Sequence, residues 1–295
     1  MLYELGSMTT YYQKIIDLLY IIPKDVCNII KQYCDDYKTC EYLDKYDIVL
    51  GSSACSGCLF DGKIYMGEYY IIDKGKLVIY DIEKKITIKK NIGHTRILRI
   101  DIYNNKLYIL SILNKIFCYN LDLNCQPKIT NFENDIRCFV IRDKCYHTYY
   151  DSYGIYVHDG KKITKFCETV SLREVIYIHD DYLYKTNTYP EFISVGKIHL
   201  KNKKETEILL QYSDNINEME IFFKKLIISD FNIYLLTTRN FYCYNLFGEL
   251  NYKININNFP NDKLDKPPKY FIDILIHMQN IYFIINDGIV TLRQR

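Results

Sequence analysis

The sequence predicts an all-β protein made of six like units, and three observations predict it. An apolar residue followed by tyrosine recurs at Ile64-Tyr65, Leu107-Tyr108, Cys145-Tyr146 (cysteine serving as the apolar member), Leu183-Tyr184, Ile233-Tyr234 and Ile281-Tyr282, spaced on average about 43 residues apart. Six to a dozen residues after each dipeptide begins a second short apolar run: KLVIYDI (76–82), KIFCYNL (115–121), GIYVHD (154–159), GKIHL (196–200), NFYCYNL (240–246) and GIVTLR (288–293). These runs are about 5 to 8 residues long, too short for packed helices, and apolar at consecutive positions, so both faces of each sheet are covered. A ring of blades, each sandwiched between two neighbours, meets that requirement. The predicted fold is therefore a six-bladed β-propeller, with seven blades as the alternative count, preceded by a short N-terminal helical hairpin.

Composition agrees. Trp is absent, Ala occurs only as Ala54 and Tyr reaches 31, so the supply is poor in helix formers and rich in strand formers. A/T-rich codons give the same bias, so tyrosine abundance by itself is no functional signal. Lys+Arg 38 against Asp+Glu 36 leaves a net charge of +2, far from the basic excess that neutralising a phosphate backbone requires. The expectation is no nucleic acid and no membrane. The first residues, MLYELGSMTT, lack a basic n-region and cleavage site, and the next apolar stretch is broken by Gln13, Lys14 and Asp17, which fits neither signal peptide nor membrane span. With 11 scattered cysteines, an odd number, reduced thiols packing as small hydrophobes are expected, in an intracellular reducing compartment.

Taken in chain order, residues 1–40 form the helical segment. Within it Ile22, Val26, Ile29, Ile30 and Tyr33 fall at i, i+4, i+7, i+8 and i+11, one stripe of an amphipathic helix. Pro23 suits its first turn and Asp25 its N-terminal dipole. A preceding helix over about residues 11–19 completes a hairpin that must pack on the propeller or on a partner. Residues 41–295 form the propeller. The last unit supplies three strands, and KYDIVL (45–50) is the expected fourth strand that closes the ring, because an open ring would expose unpaired edges. Turn chemistry fits at Asp61-Gly62, Asn104-Asn105, Asp159-Gly160 and Asp287-Gly288. Two longer polar stretches, 201–218 and 257–269, read as loop insertions able to carry function.

The unit at 93–121 resembles the WD-repeat family. Gly93-His94-Thr95 matches the opening of that repeat, Ser111 its second-strand hydroxyl, Ile116 its apolar third-strand position, and Tyr119-Asn120 its closing Trp-Asp. The resemblance implies that His94, Ser111 and Tyr119 belong to a structural hydrogen-bonded tetrad and have no catalytic part. It departs at the turn, where Leu113 stands in place of the tetrad Asp with Asn114 beside it. Only Tyr80-Asp81, His158-Asp159 and Tyr244-Asn245 echo the closing pair elsewhere.

The string Ile22-Pro23-Lys24-Asp25-Val26, followed by Ile29, Ile30 and Tyr33, resembles the start of an F-box. That resemblance implies docking onto the Skp-type adaptor of a cullin ubiquitin ligase, with the propeller holding a substrate protein. A hairpin that only packs on the propeller, or dimerises, is the alternative. A short Pro-led F-box-like helix before a degenerate AT-rich propeller is similar in style to proteins of mimivirus-type giant DNA viruses, which places the chain in host cytoplasm, virus factory or virion.

The search for chemistry yields little. Cys55-Ser-Gly-Cys58, with Cys34 and Cys40 as further ligands, is the sharpest metal candidate. Residues three apart on a strand point to opposite faces, so the pair is not expected to converge on one ion. The six histidines form no ligand motif, and phosphate-binding or nucleophile-elbow loops are absent. No cofactor, metal or catalytic residue is therefore assigned. Three functions stay open: a non-enzymatic protein–protein interaction scaffold, foremost as a ligase adaptor; a structural component of a virus particle or replication compartment; and an enzyme with a site lining the central channel.

Overall fold

The computed structural model describes residues 40–46, 54–68, 75–92, 97–170, 175–189, 192–211, 223–229, 231–256, 271–277, 280–285 and 288–294. The expected helices, with Ile22, Pro23, Val26, Ile29, Ile30 and Tyr33, lie outside these residues, as do His94 and the stretch 257–269.

Among the described residues, 24 strands form six four-stranded antiparallel sheets. Strand β1 (Cys40–Tyr46) comes first in the chain. Blade 1 is β2 (Ala54–Phe60), β3 (Lys63–Glu68), β4 (Lys76–Asp81) and β5 (Ile86–Asn91). Blade 2 is β6 (Ile97–Tyr103), β7 (Lys106–Ser111), β8 (Lys115–Asn120) and β9 (Lys128–Asn131). Blade 3 is β10 (Ile136–Ile141), β11 (Cys145–Tyr149), β12 (Ile155–His158) and β13 (Ile163–Cys167). Blade 4 is β14 (Ile176–His179), β15 (Tyr182–Thr188), β16 (Ile193–His199) and β17 (Glu205–Leu210). Blade 5 is β18 (Phe223–Ile228), β19 (Asn232–Thr237), β20 (Asn240–Asn245) and β21 (Leu250–Asn255). Blade 6 is β22 (Phe271–His277), β23 (Asn280–Ile285) and β24 (Gly288–Gln294), completed by β1 in the order β1-β24-β23-β22. The first strands of successive blades touch in turn, and β22 returns to β2, so the ring is closed.

The closing strand runs Cys40–Tyr46, from Cys40 opposite Gln294 to Tyr46 opposite Ile289. It shares only Lys45 and Tyr46 with the expected 45–50 segment, whose remainder lies outside the described residues. The supposed insertion 201–218 also needs correction, because Glu205–Leu210 is β17, the fourth strand of blade 4. Fourth strands sit at the rim with one flank in water. Their side chains are accordingly mostly exposed in β5, β9, β13 and β17, and their sequences are polar enough to pass for loops.

The Ile/Leu-Tyr repeat now has a physical meaning. All six dipeptides lie on the second strand of a blade, where neighbouring side chains point to opposite faces. Ile64 packs in the cluster shared with blade 6, and Tyr65 in the one shared with blade 2. The same alternation holds for Leu183 and Tyr184, Ile233 and Tyr234, and Ile281 and Tyr282. The buried apolar residues fall into six clusters, one per pair of adjacent blades. The core is thus six interfaces in a ring, and each dipeptide supplies one side chain to each of two interfaces.

Candidate functional site

Two places in a propeller can hold function, the central ring of first strands and the loops. The first strands are sheet edges facing the axis, so one row of backbone N–H and C=O groups has no strand partner. Side chains of neighbouring blades fill that need. The Gly57 N–H donates to Asp273 Oδ2 at 2.8 Å, and Ser56 Oγ contacts the same oxygen at 3.3 Å, joining blade 6 to blade 1. The Ile100 N–H donates to Ser56 Oγ at 3.3 Å, joining blade 1 to blade 2. The Ile141 N–H donates to Asp101 Oδ2 at 2.7 Å, and Arg99 Nε donates to the Arg137 carbonyl at 3.1 Å, joining blade 2 to blade 3. Arg142 donates to the Ile178 carbonyl at 2.9 Å, and Lys224 Nζ to the Phe271 carbonyl at 2.6 Å.

Lys225 spans more. Its Nζ stands 3.4 Å from both Asp273 oxygens and 3.4 Å from the Gly57 carbonyl, so one ammonium ties blade 5 to blades 6 and 1. Burial pushes the Asp101 carboxyl above its usual range, while the Ile141 and Ile102 N–H groups and the Arg142 guanidinium pull it back. Lys224 is held below its usual value by burial, with Asp273 opposing. The signal was present in the sequence as charges inside apolar runs, Arg99 and Asp101 in ILRIDIY, Asp273 in FIDILIH and Lys224 and Lys225 in FKKLII.

Five of the six first strands also carry a β-bulge near their start, at Cys55, Leu98, Arg137, Lys224 and Ile272. The bulge corrects the expected geometry of the cysteine pair. An extra residue between Ala54 and Ser56 resets the alternation, so Cys55 and Cys58 both reach the core between blades 1 and 2. Cys55 Sγ donates to the Gly67 carbonyl at 3.4 Å. Burial, and then Asp101, pushes the Cys58 thiol up, which disfavours the thiolate a metal ligand needs. Among the described residues no group of three or more His, Cys, Asp or Glu side chains could hold a metal ion.

Of the three residues matched to the WD tetrad, Ser111 and Tyr119 are buried. Tyr119 stands opposite Leu107, while Ser111 lies four residues further along β7. Ser111 Oγ accepts the Leu113 N–H at 3.3 Å and so caps the β7–β8 turn. Asn114 sits at φ 55° and donates to Asp135 across blades. In blades 1, 3 and 5 the closing dipeptide is explained by its second residue. Asp81 Oδ1 accepts the Lys84 N–H at 2.9 Å, Asp159 Oδ1 accepts the Lys161 and Lys162 N–H groups at 3.0 Å, and Asn245 Oδ1 accepts that of Phe247 at 2.9 Å. In blade 4, His199 Nδ1 takes over and accepts the Lys201 N–H at 3.1 Å. The position needs an acceptor that folds the third strand back into the fourth, which Asp, Asn and neutral His all provide.

A cleft of about 510 Å³ opens between blades 2 and 3, with Lys128, Arg142, Lys144, Asp143, His158 and Asp159 on its walls. Its floor includes Tyr108, whose phenol is pushed up to about 12 by burial, with Cys118 next in effect. Arg142 and Asp159 are already engaged in the fold, and the lining carries charges of both signs.

Ring closure, six interfaces and inter-blade bonds define the class: a six-bladed β-propeller. Among solved structures, the chain is similar to the WD40 domain of Toxoplasma gondii coronin, with a TM-score of 0.57 and 9% identity over 86% of this chain and 85% of that one. It is also similar to BamB from Moraxella catarrhalis, with a TM-score of 0.52 and 10% identity over 87% of this chain and 98% of that one. At such identities the likeness is one of fold. No protein-family profile and no curated protein matches the sequence.

Proposed function

We propose that this protein is an interaction scaffold that holds other proteins on its loops. The observation that supports this most is the use of the inner ring. Asp101, Asp273, Lys225 and Ser56 would be the natural chemistry of a channel-lined site, and each bonds an adjacent blade. A propeller arranged in this way leaves its loops as the variable surface. In the concrete version, the segment around Pro23, expected from the sequence to be helical, docks a Skp-type adaptor and the propeller selects a substrate protein for a ubiquitin ligase. Co-purification with such an adaptor, lost on Pro23→Ala combined with Ile30→Asp, tests that version, and absence of adaptor binding by the native chain sinks it. For the broader reading, cross-linking in the native cell followed by mass spectrometry should recover defined protein partners. A chain that recovers none is not a scaffold. A stable monomer in solution argues against assembly of a particle through the same helices.

A further inference from the structure

The antiparallel order places the β7–β8 turn, the β9–β10 connection and the β11–β12 connection at one end of blades 2 and 3. They are stitched together. Asn114 Nδ2 donates to Asp135 Oδ1 at 2.5 Å, the Asn114 carbonyl accepts the Phe132 N–H at 3.0 Å, and the Asp135 carbonyl accepts the Tyr150 N–H at 3.2 Å. On this fixed surface Ile112, Leu113, Tyr150 and Tyr153 are each about half exposed. A single exposed apolar side chain is ordinary, but four on adjoining, mutually bonded loops mark an interaction surface.

Its charge says what it fits. Glu133, Asp135 and Asp151 are exposed on the same loops, and residues 111–114, 132–135 and 149–154 contain no Lys or Arg. Burial pushes the Tyr149 phenol up, Glu133 and Asp151 being among the charges that add to it, and among the described residues none of the three carboxylates is in an ion pair. An anionic lipid surface or a nucleic acid would meet like charge here. A chain carrying Lys or Arg beside apolar side chains would find complementary charge around an apolar centre, on loops that need no ordering to receive it.

We propose that this face of blades 2 and 3 docks a basic, apolar peptide segment of a partner protein. The proposal rests on the scaffold reading above and names the surface and chemistry of one partner. To test it, the full chain is panned against a random linear peptide library, and recovered peptides are synthesised and titrated onto three proteins. These are the native chain, Leu113→Ser with Tyr150→Ser, and Glu133→Gln with Asp151→Gln. The expected peptides combine Lys or Arg with apolar residues, and each double variant weakens their binding roughly tenfold or more. The carboxamide variant should also lose most of the salt dependence. If the serine variant melts at a lower temperature, the carboxamide variant, altered only at exposed side chains, decides. No enrichment, peptides without basic residues, or binding unchanged on the carboxamide variant overturns the proposal. So does self-association of the native chain that Tyr150→Ser abolishes, which would give the face to a second copy. If native-cell partners are captured equally by the native chain and both variants, this face is wrong and the scaffold reading stands; if the native chain captures none, both fall.

Discussion

Replacing Asp273 by alanine tests whether side chains of the inner ring hold the blades together. Asp273 is 4% exposed and accepts from Gly57 and Ile274 N–H groups at 2.8 Å, with Ser56 Oγ and Lys225 Nζ also on its oxygens. Removal leaves the Gly57 N–H facing the axis without its acceptor and Lys225 without its carboxylate. Hydrogen bonds to charged groups contribute about 1.5–3 kcal/mol each, not additively, and breaking a buried ion pair from one side costs about 3–5 kcal/mol. The Lys225 side chain is one-fifth exposed and regains some water, which favours the lower half of that range, about 3–4 kcal/mol. For a protein of this size that lowers the melting midpoint by roughly 6–12 °C. Asp273→Asn keeps an acceptor for Gly57 but loses the charge, so it should cost only about 1–2 kcal/mol. Equilibrium urea unfolding with an unchanged m-value reads both variants, and a cycle with Lys225→Met should give a coupling of about 1–3 kcal/mol. A cost below about 1 kcal/mol for Asp273→Ala, or equal costs for Ala and Asn, would refute the inter-blade bond as a stabilising element.

Three further outcomes follow from burial, backbone geometry and strand pairing. His147 is buried against Tyr149 Oη at 3.0 Å, and burial lowers its pKa from 6.5 to about 4. The unfolded chain therefore takes up the proton first as pH falls, so stability should decline by about 3 kcal/mol between pH 6.5 and pH 4 and level off below; urea midpoints across that range should be flatter for His147→Gln, and an identical slope excludes this histidine as the cause. Gly248 has φ +86° and an added Cβ would lie 1.8 Å from the Leu209 carbonyl oxygen, whereas Gly62 at φ +66° has open space. Gly62→Ala should cost about 1 kcal/mol and Gly248→Ala at least twice that, measured as the difference in urea midpoint, and equal costs would show that the rim contact yields. Deleting residues 1–39 should leave a folded ring, while deleting 1–46 removes β1 and bares the β24 edge, so soluble yield and melting should collapse only in the second.

The architecture was legible because the same packing problem is solved six times. Each blade needs one side chain toward each neighbour on its second strand, and the Ile/Leu-Tyr pair answers it in consecutive residues that can be counted. The fourth strands were not legible. Ile86–Asn91 and Glu205–Leu210 face water on one flank, so selection on their side chains is weak and their pattern fades into that of a loop. The cysteine pair was placed on the right strand but in the wrong geometry, because the bulge at Cys55 has no signature in a single sequence. The surface over blades 2 and 3 was invisible for another reason. Leu113 could be assigned to a turn from the sequence, but nothing in the sequence shows that Ile112 and Leu113 stand exposed at the same end of the blades as Tyr150 and Tyr153.

The inner ring and the turn caps together explain why so degenerate a repeat still closes. This propeller must satisfy two sets of backbone groups that strand pairing leaves open, the axial edge of every first strand and the turns that lead from a third strand into a fourth. At the turns, an acceptor at Asp81, Asp159, His199 or Asn245 is enough, so the residue type can drift among Asp, Asn and His while the bond remains. Along the axis the demand differs from blade to blade: Ser56 and Asp101 meet an N–H, Arg99, Arg142 and Lys224 meet a carbonyl, and Asp273 with Lys225 meets both at the join between the last blade and the first. A repeated function is thus carried by unlike residues, which is why the motif fades from the sequence faster than the fold does. The Lys225–Asp273 ion pair links the first strands of blades 5 and 6, and both side chains also reach Gly57 of blade 1, whereas β1 closes blade 6 at its opposite edge. Blade 6 is thus fastened independently at its axial strand and at its outer strand, and loss of either fastening should be felt more than loss of one bond elsewhere in the ring.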